Sequence, residues 1–223
     1  MSELSGSLAH ELNQPLAIIL SNAQAAQRLL VQTPPDVEEV REILTDIVHE
    51  DRRAGEIIQR LRNMLKRGES SMLPLPLNEV ITEVLQLTRV DLIDRGVTVV
   101  CHLAESLPLV HADRIQLQQV FLNLILNGTD AMADCEPGTR RLHITTALHD
   151  GTVRVSVRDE GTGLPADVER LFEPFHTTKP QGLGMGLAIC RSIIGAHRGR
   201  LWAESHAERG AVFHFDLPVQ NAT

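Results

Sequence analysis

Aromatic residues are scarce: the 223-residue chain has no tyrosine, one tryptophan and five phenylalanines, so any core must be largely aliphatic. Cysteine is scarce as well. Cys101, Cys135 and Cys190 are an odd, widely spaced set without a C-x-x-C pair, a pattern that fits reduced cytosolic thiols better than a disulfide framework. No apolar run approaches the roughly 20 residues that span a bilayer, and the first residues lack a signal-peptide pattern. There is no basic block either: 21 Lys and Arg are spread among 29 Asp and Glu, for a formal net charge of −8, which makes nucleic acid a poor partner. Internal repeats and low-complexity tracts are missing. These absences describe a soluble, cytoplasmic segment, whether or not a parent protein is attached to a membrane.

What is present divides into two halves. Apolar residues at 4, 8, 12, 16, 19, 23, 26 and 30 recur in steps of three or four, which predicts one amphipathic helix. T-P-P-D at 33 to 36 ends it and starts another, with Thr33 as the expected cap, Pro34 and Pro35 in the first turn, and Asp36 favouring the dipole. The second helix carries a seam at Val37, Val40, Leu44, Ile47, Ala54, Ile58, Leu61 and Leu65, widened by Ile43, Ile57 and Met64. Stripes this wide need more partner surface than one antiparallel hairpin offers, so a dimeric four-helix bundle is expected; the alternative is a hairpin packed on its own C-terminal half. The expected division is a helical hairpin over 1–67, a proline-containing linker and edge strand over 68–77, and a domain over 78–223. In that domain helices are predicted near 78–95, 112–133 and 184–198, and strands near 97–102, 140–148, 152–158, 199–205 and 211–217. H-D-G between the second and third strands signals a hairpin, and the order as a whole predicts a mixed, largely antiparallel sheet covered by helices on one face.

Within the first helix, S-L-A-H-E-L-N-Q-P-L-A-I at 7 to 18 combines His10 and Glu11 with a helix-breaking Pro15. His10 lies two residues from both Leu8 and Leu12, so at about 100° per residue it belongs on the face away from the seam. Pro15 cannot donate to the Glu11 carbonyl, which predicts a bend just past the histidine. An exposed imidazole beside a carboxylate is an accessible nucleophile. A zinc site of the H-E-x-x-H kind is excluded because Gln14 stands where the second histidine is needed.

Four more motifs follow. Q-V-F-L-N-L-I-L-N-G-T-D-A-M at 119 to 132 puts Asn123 and Asn127 on one helix face, and amide carbonyls are hard oxygen ligands suited to magnesium. D-E-G-T-G at 159 to 163 follows a strand, and Gly161 and Gly163 let the backbone approach a flat ligand. F-E-P-F at 172 to 175 reads as a hydrophobic anchor, followed by H-T-T-K-P-Q. G-L-G-M-G-L at 182 to 187 opens a helix with Gly182, Gly184 and Gly186, a backbone anion site; a Rossmann fingerprint fails because no strand precedes it and Leu187 holds the final glycine place.

In this order and at these separations, the five motifs resemble the catalytic core of sensor histidine kinases, and H-E-L-N-Q-P-L resembles the phosphoacceptor box of the nitrogen-regulatory, dicarboxylate and oxygen-sensing subgroup. The resemblance covers nearly the whole chain. It implies a dimerising helical hairpin followed by an α+β sandwich ATP-binding domain of the histidine kinase, gyrase and chaperone type. It further implies transfer of the terminal phosphoryl of MgATP to His10, then to an aspartate on the receiver domain of a response regulator. Glu11 would take the proton from the second ring nitrogen, Asn127 would hold Mg2+, and Asp159 would accept from the adenine amino group. Phe175 would seat the lid, Thr177, Thr178 and Lys179 would meet the terminal phosphate, and Lys179 would neutralise its charge. Gln14 stands where many relatives carry the Thr or Asn that orients water for phosphatase activity, so that activity is expected to be weak. His176 replaces an expected aromatic, and Gly128 an expected alanine. The alternative function is an ATPase or ATP-gated switch without histidine phosphorylation, against which Asn123 argues: gyrase and chaperone ATPases carry a water-activating glutamate there, and an amide is no base. Nine residues precede His10, so an upstream sensor domain is expected to lie outside this chain.

Overall fold

The computed structural model describes residues 2–31, 36–65, 71–136, 138–177, 184–207 and 209–219; over 2–13, 49, 52–53 and 55–65 it describes helical backbone only. The chain forms two compact units, Met1–Glu69 and Ser70–Thr223. The first is a pair of helices packed on each other, α1 (Ser2–Leu30) and α2 (Val37–Leu65). Helix α1 runs through Pro15, whose ring is buried. Helix α2 starts later than the prolines suggested. The Asp36 carboxylate accepts from the Glu39 N–H at 3.1 Å and so caps the helix that begins at Val37. Thr33, Pro34 and Pro35 themselves lie outside the described residues. Ala26, Val40 and Ala54 are buried within this unit, yet Leu16, Leu20, Leu30, Val37, Leu44 and Val48 remain largely exposed.

The second unit contains β1 (Leu73–Leu75), α3 (Leu77–Asp94), β2 (Thr98–Leu103), β3 (Val110–Ala112), α4 (Arg114–Ala131), β4 (Arg141–His149), β5 (Thr152–Asp159), a 3-10 turn (Glu169–Phe172), α5 (Gly186–Ala196), β6 (Arg200–Ser205) and β7 (Ala211–Pro218). Every strand and helix expected in this domain lies within two residues of these bounds. Five strands form one sheet in the order β2-β4-β5-β7-β6; β2 and β4 are parallel and the remaining pairs antiparallel. Strand β1 pairs only with β3, in a separate two-stranded sheet, and so is not an edge strand of the main one.

Alternation decides which face is covered. Val153, Val155 and Val157 of β5 and Phe213, Phe215 and Leu217 of β7 are buried against α4 and α5. Phe121 of α4 meets Phe215 edge-on, with ring centroids 5.4 Å apart. The intervening residues make the other face polar: Arg154 grips Asp216 through two 2.8 Å bonds, and Trp202 stacks on His214. No described helix is long and apolar enough to cross a membrane.

Candidate active site

Helix α4 is set by its ends. The Asp113 carboxylate caps it by accepting from the Gln116 N–H and accepts also from the Ser71 N–H, both at 3.1 Å. The Asp113 N–H donates to His197 Nε2 at 2.9 Å, and His197 Nδ1 donates to the Ile193 carbonyl at 2.8 Å. This buried imidazole therefore ties the start of α4 to the end of α5. Between these ends Asn123 and Asn127 lie one turn apart, half-buried. Asn123 faces the start of α5: a Cβ at Gly186 would stand 3.6 Å from its Oδ1, and its side chain hydrogen-bonds Cys190. Burial pushes the Cys190 thiol up to about 12, so it is an inert, protonated packing group.

Asp159 closes β5 and is only 2% exposed. One oxygen, Oδ1, accepts from the Gly161 N–H at 2.9 Å and the Ala211 N–H at 3.3 Å; Oδ2 accepts no bond among the described residues. Burial holds the carboxyl above the usual carboxylate range, and the two N–H groups partly oppose that shift. The site is thus a desolvated acceptor with one oxygen fixed and the other uncommitted.

The glycines around it have more specific tasks than the expected approach to a flat ligand. A Cβ at Gly161 would overlap the Ala131 carbonyl oxygen, and the Thr162 N–H donates to that same oxygen at 3.2 Å, so the loop is docked on the end of α4. Gly163 is needed for its backbone, at φ +83°. Gly128 leaves room for the Leu142 side chain, which a Cβ would approach to 2.6 Å. Gly184, at φ +64°, abuts the backbone of His176; a Cβ there would stand 2.6 Å from the His176 carbonyl, so the two ends of the intervening segment are held together.

The two phenylalanines of F-E-P-F diverge. Phe172 is buried under the Arg191 guanidinium, 5.0 Å from its ring centroid, and is the anchor. Phe175 is 54% exposed and sits at φ +66°, an uncommon conformation for a bulky side chain. Thr177 is exposed. Thr178, Lys179 and Gly182 lie outside the described residues, and for His10 and Glu11 only the backbone of α1 is described. Gln14, on the same helix, is exposed.

Sequence reasoning missed one part of this site, the turn between β6 and β7. Gly210, at φ +88°, lies against Asp159, whose carbonyl oxygen a Cβ would overlap, and Ala211 supplies the second N–H to the carboxylate. The available signal was R-G-A at 209 to 211, directly before an alternating apolar strand. Among the described residues no group of three or more His, Cys, Asp or Glu side chains is placed to hold a metal. A magnesium ion that keeps its waters and rides on substrate phosphates needs only one or two protein oxygens, and the Asn127 carbonyl fits that demand.

A mixed sheet under three helices, with this carboxylate at the end of β5, defines an ATP-binding domain of the type shared by kinases and chaperones. Residues 112–221 match the family described as histidine kinase-, DNA gyrase B- and HSP90-like ATPase, and residues 1–70 match the His Kinase A (phospho-acceptor) domain. The chain is 42% identical over 98% of its length to the sensor protein FixL of Bradyrhizobium diazoefficiens, and 36% identical over 98% to the sensor histidine kinase TmoS of Ectopseudomonas mendocina. It spans 44% and 23% of those two proteins. Among solved structures, the catalytic domain of histidine kinase ThkA is 35% identical, with a TM-score of 0.60 over 66% of this chain and 95% of that one. ThkA in complex with the response regulator protein TrrA is 29% identical, with a TM-score of 0.73 over 98% of this chain and 61% of that one. The chain belongs to the sensor histidine kinases and corresponds to their catalytic core.

Proposed function

We propose that this chain transfers the terminal phosphoryl of ATP to His10 and passes it on to an aspartate of a response regulator. The observation that carries the reading is the buried Asp159, whose locked geometry leaves one oxygen for the exocyclic amine of adenine, in a chain that also carries a phosphoacceptor helix. A histidine with an ordinary pKa near 6.5 is mostly neutral at pH 7 and keeps one ring nitrogen lone pair. That nitrogen attacks the terminal phosphorus, the bond to the bridging oxygen breaks, and ADP leaves. Glu11 takes the proton from the other ring nitrogen. Asn127 would hold magnesium, which would supply neutralisation of phosphate charge there. Lys179 adds a second positive charge from the lid, and Thr177 and Thr178 donate to the phosphate oxygens. Gly182, Gly184 and Gly186 present backbone N–H groups at the start of α5. Phe175, exposed in the structure, serves as the contact that seats the lid. An ATPase acting on water is disfavoured by Asn123, which packs against α5 and has no basic lone pair to activate water. Incubation with labelled ATP tests the proposal: acid-labile, base-stable label on the chain, discharged by an added receiver domain, is expected, and release of inorganic phosphate without labelled protein would defeat it.

The division into 1–67, 68–77 and 78–223 follows from the same reading, and so does a homodimer. Leu16, Leu20, Leu30, Leu44 and Val48 are too exposed for a hairpin that functions alone. Light scattering should therefore find fragment 1–67 dimeric and fragment 72–223 monomeric while still binding ATP; a dimeric 72–223 would move the interface to the ATP domain.

Exposed Gln14 can hydrogen-bond a water for the reverse reaction, but its extra methylene displaces the amide from the reach of an Asn. Dephosphorylation of the regulator should be slow, and Gln14→Ala should slow it by roughly fivefold more, the worth of one hydrogen bond of about 1 kcal/mol. Rapid dephosphorylation indifferent to this change would place the water elsewhere.

A further inference from the structure

Gly161 joins two peptide units, and both are held from the side by one pair of residues. The Glu160–Gly161 unit presents its N–H to Asp159 Oδ1 at 2.9 Å, while its carbonyl, the Glu160 oxygen, accepts from Cys135 Sγ at 3.8 Å. The Gly161–Thr162 unit presents its N–H to the Ala131 carbonyl at 3.2 Å, while its own carbonyl, the Gly161 oxygen, accepts from Arg209 Nε at 3.2 Å. Arg209 Nη2 also donates to Cys135 Sγ at 3.0 Å, which closes the arrangement. A glycine has the widest backbone freedom of any residue, and its placement here is forced by the close approach to Ala131. Something other than a side chain at 161 must therefore fix the tilt of the N–H that holds the carboxylate. The next two residues after Arg209 complete the grip, since Gly210 packs on Asp159 and the Ala211 N–H binds its Oδ1.

We infer that Arg209 is a positioning residue for base selectivity: by fixing both peptides around Gly161 it aims the uncommitted oxygen of Asp159 at the amino group of adenine. This rests on the reading of Asp159 as the adenine acceptor. Arg209 touches no reacting atom, and it is exposed enough for its replacement to leave the core intact.

The test compares, on the full chain, the dissociation constants of ATP and of purine riboside triphosphate, which lacks the amino group. Asp159→Asn should remove most of the wild-type preference for ATP. Arg209→Ala should lower that preference by about fivefold, a partial loss because the Gly161 and Ala211 N–H bonds to Asp159 remain, while affinity for the purine nucleotide stays within about twofold. Arg209→Lys, which can still reach the Gly161 carbonyl but not bridge to Cys135, should recover part of it. Equal weakening of both nucleotides by Arg209→Ala would make Arg209 a stabilising residue only and overturn the inference. An unchanged preference in Arg209→Ala, with the preference lost in Asp159→Asn, overturns it while sparing the Asp159 reading; an unchanged preference in Asp159→Asn removes both.

Discussion

His10→Ala will carry no acid-labile, base-stable phosphate after incubation with ATP, yet will bind ATP with an affinity within about twofold of wild type. The phosphorylation loss is complete because no other nucleophile replaces a transferred group's covalent acceptor. Affinity is spared because His10 belongs to the helical unit, Met1–Glu69, and the nucleotide motifs belong to the other, Ser70–Thr223. Calorimetry on the variant, with label incorporation measured in parallel, separates the two effects. Retained phosphohistidine would assign the acceptor to another of the ten histidines and end the proposed mechanism. Loss of ATP binding would instead mean that the histidine helix contributes to the nucleotide site.

Asp159→Asn will do two opposite things. Nucleotide affinity should fall by about 10- to 100-fold, because a hydrogen bond to a charged acceptor, worth roughly 1.5–3 kcal/mol, becomes one to a neutral amide. Thermal stability without nucleotide should rise. Burial raises the folded-state pKa of this carboxyl above its unfolded value, so between those two values the folded chain binds more protons than the unfolded one. Stability therefore falls as pH rises through that window, and burying this carboxyl is a net burden once pH is above its unfolded value. The Asn variant lacks that burden, and its advantage in melting temperature over wild type should shrink as pH is lowered towards the ordinary carboxylate range near 4. A variant that melts below wild type at neutral pH would show that the N–H bonds from Gly161 and Ala211 outweigh the desolvation. Saturating nucleotide should reverse the order, since ligand binding stabilises by RT ln(1 + L/Kd), where L is the free nucleotide concentration, and the tighter-binding wild type gains more.

Several of these features were legible in the residues, for identifiable reasons. Helices α3, α4 and α5 and the strands β4 and β5 carry long periodic patterns, so they were placed to within two residues. Strand β3 has only three residues, too few to show a period, and without it β1 had no visible partner other than the main sheet. The start of α2 at Val37 was not legible because both Thr33 and Asp36 are good caps by residue type, and only the bond from the Glu39 N–H to Asp36 marks the described start. In F-E-P-F the residue types were read correctly, but sequence does not show that the backbone turns left-handed at Phe175 and leaves that ring exposed. Arg209 escaped notice because its role is defined by backbone carbonyls at 161 and by a thiol 74 positions away, neither of which leaves a local spacing. Asp159 stands out in the sequence as a carboxylate at the end of a strand and before a glycine turn, but nothing there shows that it is held at one oxygen.

Strand order has a consequence for the birth of the protein. Strand β7, the last of the seven to be synthesised, lies between β5 and β6 and brings with it the N–H of Ala211 that grips Asp159. A nascent chain emerging at about 5–20 residues per second already displays the histidine helix and both asparagines of α4 while this interior position in the sheet is still empty. The Asp159 carboxylate gains its final geometry only after residue 218 has cleared the ribosome and the hairpin has inserted. Translation thus completes the helical unit first and the surroundings of Asp159 last, so under the proposed mechanism a half-made chain carries its target before any means of charging it.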